Sequence, residues 1–281
     1  MDKMNKFFLV DAFTDQLFTG NPACVFLSKE SLNEKVMQLI AREFNLSETA
    51  FPVPLSSIDF QNSNLFHLRW FTPIVEVPLC GHATLATAHI LFAELENASS
   101  SLSFATQSGT LIVSKRKDHY VMDFPSGKLT PIDIEPEIVS ALHLERESVQ
   151  QMMHCPNPNK LLVEVDNERH VRALTPDFSE LIHISRKFNV GSILVTAQSK
   201  STEYDFVSRN FAPVRGVNED PVTGSAHVIL GPYWQKKLNK NHLRAYQASD
   251  RGGSMDIEIK GNERVFLIGT ACTVAEGHFR S

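Results

Sequence analysis

Two stretches decide the fold: Pro78-Leu-Cys80-Gly81-His82-Ala83 and Pro221-Val-Thr223-Gly224-Ser225-Ala226. They align without a gap as Pro-x-x-Gly-x-Ala. Upstream of them stand Arg69-Trp-Phe-Thr-Pro73 with Glu76, and Arg209-Asn-Phe-Ala-Pro213 with Glu219. Downstream of each runs an apolar stretch, residues 84–95 and 227–238. Such self-similarity is structural in origin, so the chain reads as two copies of one folding unit. Each copy also sets reactive side chains where a loop meets a helix start.

Working outward, the chain divides near Pro125-Ser-Gly-Lys-Leu-Thr-Pro131, a Pro- and Gly-rich break. The expected domains are 1–125 and 126–281, with the strand at 270–281 a candidate to pair with the first. Strands are predicted at 7–13 and 23–27 around a Gly20-Asn21-Pro22 turn, and at 49–53 and 66–71. Ser31-Leu-Asn-Glu34 has the capping-box pattern, and the spacing of Val36, Leu39, Ile40 and Phe44 predicts an amphipathic helix over 31–44. A buried helix is expected over 81–94, then strands at 101–105, 110–115 and 120–124. The second half offers a helix at 136–144, strands at 161–165, 192–197 and 204–208, and a helix from 224 to about 238. Strands near 244–247, 255–260, 265–268 and 271–274 close it. A helix apolar nearly all round must be buried. The pattern therefore predicts a duplicated α+β fold in which each half wraps a strongly bent sheet round one buried helix. The ligand site is expected in the cleft between the halves.

At 281 residues with 42% hydrophobic and 21% charged residues, the composition is that of an ordinary globular protein. The net charge is −5 and the basic residues are scattered, which argues against nucleic acid. The N-terminus has no signal-peptide pattern and the apolar run at 83–95 is too short for a bilayer, so no membrane role and a cytoplasmic location are expected. The four cysteines form no Cys-x-x-Cys pair, consistent with reduced thiols. No metal, nucleotide or dinucleotide motif is present, so no cofactor and no metal site are expected.

The candidate chemistry gathers at the two helix starts. Unpaired N–H groups and the helix dipole favour an anion there. Gly81, Gly224 and Ser225 suit a carboxylate; the other reading is that the glycines only permit tight packing. Glu48, flanked by Phe44, Leu46 and Phe51, is either a shielded proton carrier or a surface or capping carboxylate. Cys80, two residues before His82, is a nucleophile or carbon-acid base, or a small buried hydrophobe. Asp220 either orients a substrate group or His82, or caps the turn that begins at Pro221.

Six motifs in order are similar to those of the phenazine biosynthesis PhzF-like family. They are Asp11-Ala-Phe13, Phe18-Thr-Gly20-Asn21-Pro22-Ala23, Asn45-Leu-Ser-Glu48-Thr-Ala-Phe51, Arg69-Trp-Phe-Thr-Pro73, Cys80-Gly-His82-Ala-Thr84 and Glu219-Asp220-Pro-Val-Thr-Gly-Ser225-Ala-His227. Within the family the chain most resembles the branch with vertebrate members. The resemblance implies the diaminopimelate epimerase-like fold, two barrel-like sheets each wrapped round a central helix and related by a pseudo-twofold, and cofactor-free isomerisation. It assigns proton transfer to Glu48, in a family whose characterised enzyme works on a dihydro-hydroxyanthranilate. It makes His82, Asp220 and Ser225 helpers, and Gly81 and Gly224 backbone contacts to the substrate; Ser225, Cys80 and Asn21 are also expected to line the substrate site. A homodimer is implied by resemblance alone. Related epimerases use two cysteines; here Thr223 stands opposite Cys80, and a hydroxyl is far too weak an acid to replace a thiolate. The expected function is a proton-shifting isomerase of a small carboxylate-bearing metabolite. The alternatives are a scaffold on the same fold or a Cys80-dependent epimerase.

Overall fold

The computed structural model describes residues 4–57, 59–261 and 263–280. The chain forms two compact units, one from the residues up to 124 together with those from 268 onward, the other from residues 125–267.

The first unit contains β1 (Met4–Ala12), β2 (Asn21–Phe26), β3 (Glu48–Pro54), β4 (Leu65–Phe71), β5 (Glu76–Val77), β6 (Ser101–Thr106), β7 (Gly109–Arg116) and β8 (His119–Pro125). Its helices are α1 (Glu34–Phe44) and α2 (Gly81–His89). Most neighbours pair antiparallel, but β2 runs parallel to β3 and β4 parallel to β6. Parallel neighbours need a crossover. Helix α1 supplies the first, and β5 with α2 supplies the second. The last strand, Ala271–Arg280, returns to pair antiparallel with β1.

The second unit repeats this path. It holds β9 (Thr130–Ile132), β10 (Val149–Cys155), β11 (Lys160–Val165), β12 (Ser192–Gln198), β13 (Phe206–Ala212), β14 (Val217–Asp220), β15 (His242–Gln247) and β16 (Gly253–Lys260), before β17 (Arg264–Gly269). Its helices are α3 (Pro136–Ala141), α4 (Glu168–Arg172), α5 (Phe178–Lys187) and α6 (Gly224–Leu238). Here β11 is parallel to β12 and β13 parallel to β15, with α5 and α6 in the two crossovers.

The shared motif has a structural meaning in both units. Arg69 on β4 forms a two-pronged bond to Glu76 on β5, at 2.6 Å for each prong. Arg209 on β13 does the same to Glu219 on β14, at 2.7 Å for each prong. Each guanidinium also lies over the Phe two residues on, Phe71 or Phe211, at 5.1 and 5.0 Å. The fork locks a hairpin whose second strand feeds the helix start.

Helix α2 is buried from His82 to Ala88 and packs on β1, β2, β3 and the last strand. Helix α1 covers the opposite face, where Met37, Ile40 and Ala41 meet Phe26, Phe51 and Phe71. The second unit divides its faces likewise. Helix α6 packs on β15 and β16, while Ile138, Leu181 and Ile184 belong to a core with Val163, Ile193 and Phe211.

Several local expectations change. Helix α1 begins at Glu34 and its cap is Asn33, whose side chain accepts from the Lys35 N–H at 2.9 Å, so the Ser31 capping box does not form. Asn21 and Pro22 already belong to β2 rather than to a turn. The helix expected to 94 ends as α-helix at His89 and continues as a π-helical turn, Ile90–Glu94. The strand expected at 204–208 lies further on, at Phe206–Ala212. Strand β10 and helices α4 and α5 lacked a sequence expectation.

Candidate active site

Strand alternation aims the first set of side chains. Phe51 faces α1, so Glu48 and Ala50 on the same strand face α2. Phe26 likewise faces α1, which turns Asn21 toward α2. Gly20 makes the entry to β2 possible. Its φ is +69°, and a Cβ there would stand 2.3 Å from the Ala12 carbonyl oxygen.

His82, in the first turn of α2, is the hub. Its Nε2 lies 3.2 Å from Glu48 Oε2 and 3.3 Å from Ser47 Oγ. Its Nδ1 lies 3.2 Å from Asn21 Nδ2 and 3.5 Å from Cys80 Sγ. Ser47 in turn donates to Asn21 Oδ1 at 3.1 Å and to the Pro22 carbonyl at 3.0 Å. An ionised Glu48 needs a donor, so the proton of a neutral ring sits on Nε2. Nδ1 then accepts from the Asn21 amide, and the network is self-consistent. The His82 side chain is 6% exposed and that of Glu48 is 19%, leaving the carboxylate the more accessible partner. Phe44 and Phe51 belong to the α1 face, so the partial shielding of Glu48 comes from His82 and Ser47 rather than from those rings.

Cys80 is the N-cap of α2 and makes no side-chain cap bond. Its carbonyl accepts from Thr84 Oγ1 at 2.6 Å. Thr223, its counterpart at the start of α6, carries the same back-bond from a different side chain: His227 Nδ1 donates to the Thr223 carbonyl at 2.8 Å. Burial pulls the His227 pKa down to about 4, so that ring is neutral at physiological pH.

The second helix start has its own polar cluster. Thr223 Oγ1 donates to Asp220 Oδ2 at 2.6 Å and accepts from Asn210 Nδ2 at 2.9 Å. Gln247 accepts from the Thr223 N–H at 2.9 Å and donates to the Asp220 carbonyl at 2.5 Å. Asp220 ends β14 and stays partly accessible, as does Ser225, while Gly224 is buried. Thus Glu48, His82, Cys80 and Asn21 come together in the first unit with Gly81 beside them. Asp220, Gly224 and Ser225 cluster in the second. Asn21 is fully buried and bonded to His82 and Ser47.

Sequence reasoning left Ser47, Asn210 and Gln247 without a role. Ser47 sits inside a motif already singled out, next to Glu48. Gln247 comes from a distant strand and carries no local signal. Spacing also concealed that Glu48, Cys80 and His82 each offer one metal-competent atom, all within 4.8 Å of one another, because Glu48 arrives from another strand. All four cysteines are free thiols. Among the described residues, no helix is long and apolar enough to cross a membrane.

Residues 10–277 match the family model described as phenazine biosynthesis-like protein, PhzC-PhzF. A Halalkalibacterium halodurans protein described as an uncharacterized isomerase is 48% identical over 270 residues, 95% of each chain. The rat phenazine biosynthesis-like domain-containing protein is 43% identical over 280 residues, 96% of this chain and 97% of the relative. The crystal structure of an Enterococcus faecalis PhzF-family protein superposes with a TM-score of 0.89 at 43% identity, covering 99% of this chain and 100% of that one. The α+β fold is thus shared with solved PhzF proteins. The chain belongs to the phenazine biosynthesis-like PhzC-PhzF family and is an enzyme of its isomerase type.

Proposed function

We propose that the protein shifts a proton within a small carboxylate-bearing substrate, with Glu48 as the group that takes the proton and returns it. The observation that carries this reading is the 3.2 Å contact between His82 Nε2 and Glu48 Oε2 at a helix start, with Glu48 the more exposed of the pair. A carboxylate held by an N–H donor is ionised and oriented, as a general base must be. When Glu48 takes the substrate proton, the same N–H remains to keep the carboxyl in place for its return. In this reading Asn21 and Ser47 are positioning residues that hold the His82 ring. Gly81, at the N-terminus of α2 beside Glu48, binds the substrate carboxylate.

The one-sided arrangement supports a shuttle over a two-base racemase. Where β3 opens with Glu48, its counterpart β12 opens with Ser192. Where α2 has Cys80, α6 has Thr223, whose hydroxyl is already donating to Asp220 at 2.6 Å. A second reading draws on the 3.5 Å approach of Cys80 Sγ to His82 Nδ1: a one-cysteine epimerase in which the ring activates the thiol.

The test is incubation of the protein in heavy water with a panel of small amino, hydroxy and unsaturated carboxylates, followed by NMR. The proposal expects deuterium at two positions of at least one substrate, the site of loss and the site of return. Binding across the panel with no exchange would instead make the protein a scaffold.

A further inference from the structure

Trp70 carries a buried donor that the fold does not use. Its side chain is 1% exposed, and its indole Nε1–H has no hydrogen-bond partner among the described residues. An unpaired buried donor is destabilising, so its retention points to a use outside folding. Register places it beside Glu48. Trp70 on β4 pairs directly with Ala50 on β3. Phe71, the next residue, faces α1, so Trp70 faces α2, as Ala50 and Glu48 do. Glu48 is thus a diagonal neighbour of Trp70 on one face of the sheet. The repeat shows where a side chain at this position reaches. Arg69-Trp70 matches Arg209-Asn210, and the Asn210 amide donates at 2.9 Å to Oγ1 of Thr223, the N-cap of α6. The residue matching Thr223 is Cys80, the N-cap of α2. Its Sγ stands 3.5 Å from His82 Nδ1, and this nine-residue helix has no side-chain cap. Two kinds of donor therefore meet at the start of α2, the N–H groups of its first turn and the indole N–H. Both suit a negatively charged oxygen.

We propose that Trp70 Nε1–H donates to the substrate carboxylate seated at the start of α2, and that the substrate loses its proton from a carbon whose electron pair can delocalise into that carboxylate. This rests on the reading of Glu48 and Gly81 given above and adds to it a donor and the position of the labile proton. When the C–H bond breaks, its proton forms an O–H bond on Glu48 and its electron pair moves toward the carboxylate oxygens. Return of the proton to a second carbon forms a new C–H bond from that pair and leaves Glu48 ionised again. No atom is lost and nothing is oxidised or reduced. A donor aimed at the carboxylate acts most strongly in the intermediate, where the charge on those oxygens is greatest. Trp70 is enclosed, so it meets that charge with little competing water. In the second unit the matching Asn210 amide is already bonded to Thr223, so this donor belongs to the first unit.

The experiment is NMR on the full chain labelled with nitrogen-15. The sequence holds two tryptophans, so two indole signals are expected, and Trp70→Phe or Trp234→Phe assigns them. Trp234 Nε1 already donates to Thr196 Oγ1 at 3.0 Å and serves as the internal control. The protein is titrated with acetate, crotonate, pyruvate and benzoate. The expected result is a saturable downfield shift of the Trp70 indole proton together with a shift of the Gly81 amide, while Trp234 stays in place. A Gly81 shift without a Trp70 shift overturns the donor and leaves the carboxylate site. No shift at either group with any of these acids overturns the carboxylate site and the donor with it. These signals need no proton transfer, so they decide the donor whether or not Glu48 is the base. In the heavy-water assay, on a substrate that exchanges, Trp70→Phe is expected to lose about 10²–10³-fold, chiefly in kcat. Benzothienylalanine in place of Trp70 keeps the two rings and puts sulfur where the N–H was, so the same loss there reports the donor and not the packing. Exchange at the wild-type rate in that variant overturns the catalytic role.

Discussion

At the residue scale, the account turns on which nitrogen of His82 carries the proton. With Asn21 donating to Nδ1, the ring keeps Nε2–H for Glu48. Removing that amide frees the ring to adopt the other tautomer, which offers Glu48 no donor. Asn21→Ala is therefore expected to lower kcat by about 10–100-fold while KM stays within about twofold, and to cost about 1–3 kcal/mol of stability for the unpaired ring nitrogen. Steady-state kinetics with urea unfolding checks this. A rise in KM at constant kcat would make Asn21 a substrate contact instead. Glu48, His82 and Cys80 were legible in the sequence because motifs flag residue types. The role of Asn21 was not, since the motif suggests a turn and only strand pairing reveals an amide aimed at an imidazole.

At the element scale, the Arg–Glu forks are the repeat made physical. They are unequal in burial: the side chains of Arg209 and Glu219 are 9% and 15% exposed, against 18% and 15% for Arg69 and Glu76. Arg209 also donates to the Leu174 carbonyl at 2.7 Å, tying β13 to the end of α4, whereas Arg69 reaches the largely exposed Glu34. Arg209→Met strands a shielded carboxylate and a carbonyl, and is expected to cost about 3–5 kcal/mol. Arg69→Met is expected to cost less, because water reaches its partners more readily. Paired denaturant titrations measure both, and equal losses would contradict the burial argument. Helices α2 and α6 were legible because they are apolar all round. The π-helical end of α2 was not, since residues 90–94 continue the apolar pattern that an α-helix would show. Strand β10 was hidden by its polar start, Val149-Gln-Gln151, which carries no clean alternation.

At the scale of the whole molecule, duplication was legible and divergence was not. The strand path recurs from β1–β7 to β10–β16, but the residues that open matching strands differ. Asn21 opens β2, while a buried lysine, Lys160, opens β11 and donates to Ser192 Oγ at 2.8 Å. Burial, reinforced by the nearby Arg215 charge, lowers the Lys160 pKa to about 7. The sign follows from linkage. Between about pH 7 and about pH 10.5 the unfolded chain holds this proton more tightly than the folded one, so Lys160 makes stability rise with pH there. Below pH 7 its penalty is fully present. Lys160→Met lacks that climb, so its stability advantage over the wild type is expected to shrink between pH 7 and pH 9.5. Urea midpoints at the two pH values test this, and a constant gap would mean that Lys160 keeps its proton in the folded state across that range, its pKa not lowered.

The same asymmetry underlies the central claim, that one acidic side chain on one unit moves the proton. The most direct measurement is the solvent deuterium exchange rate on an active substrate for wild type, Glu48→Gln and Cys80→Ala side by side. The account predicts a loss of about 10²–10⁴-fold for Glu48→Gln and less than about tenfold for Cys80→Ala. Exchange that survives in Glu48→Gln and vanishes in Cys80→Ala would contradict it and identify the thiol as the base.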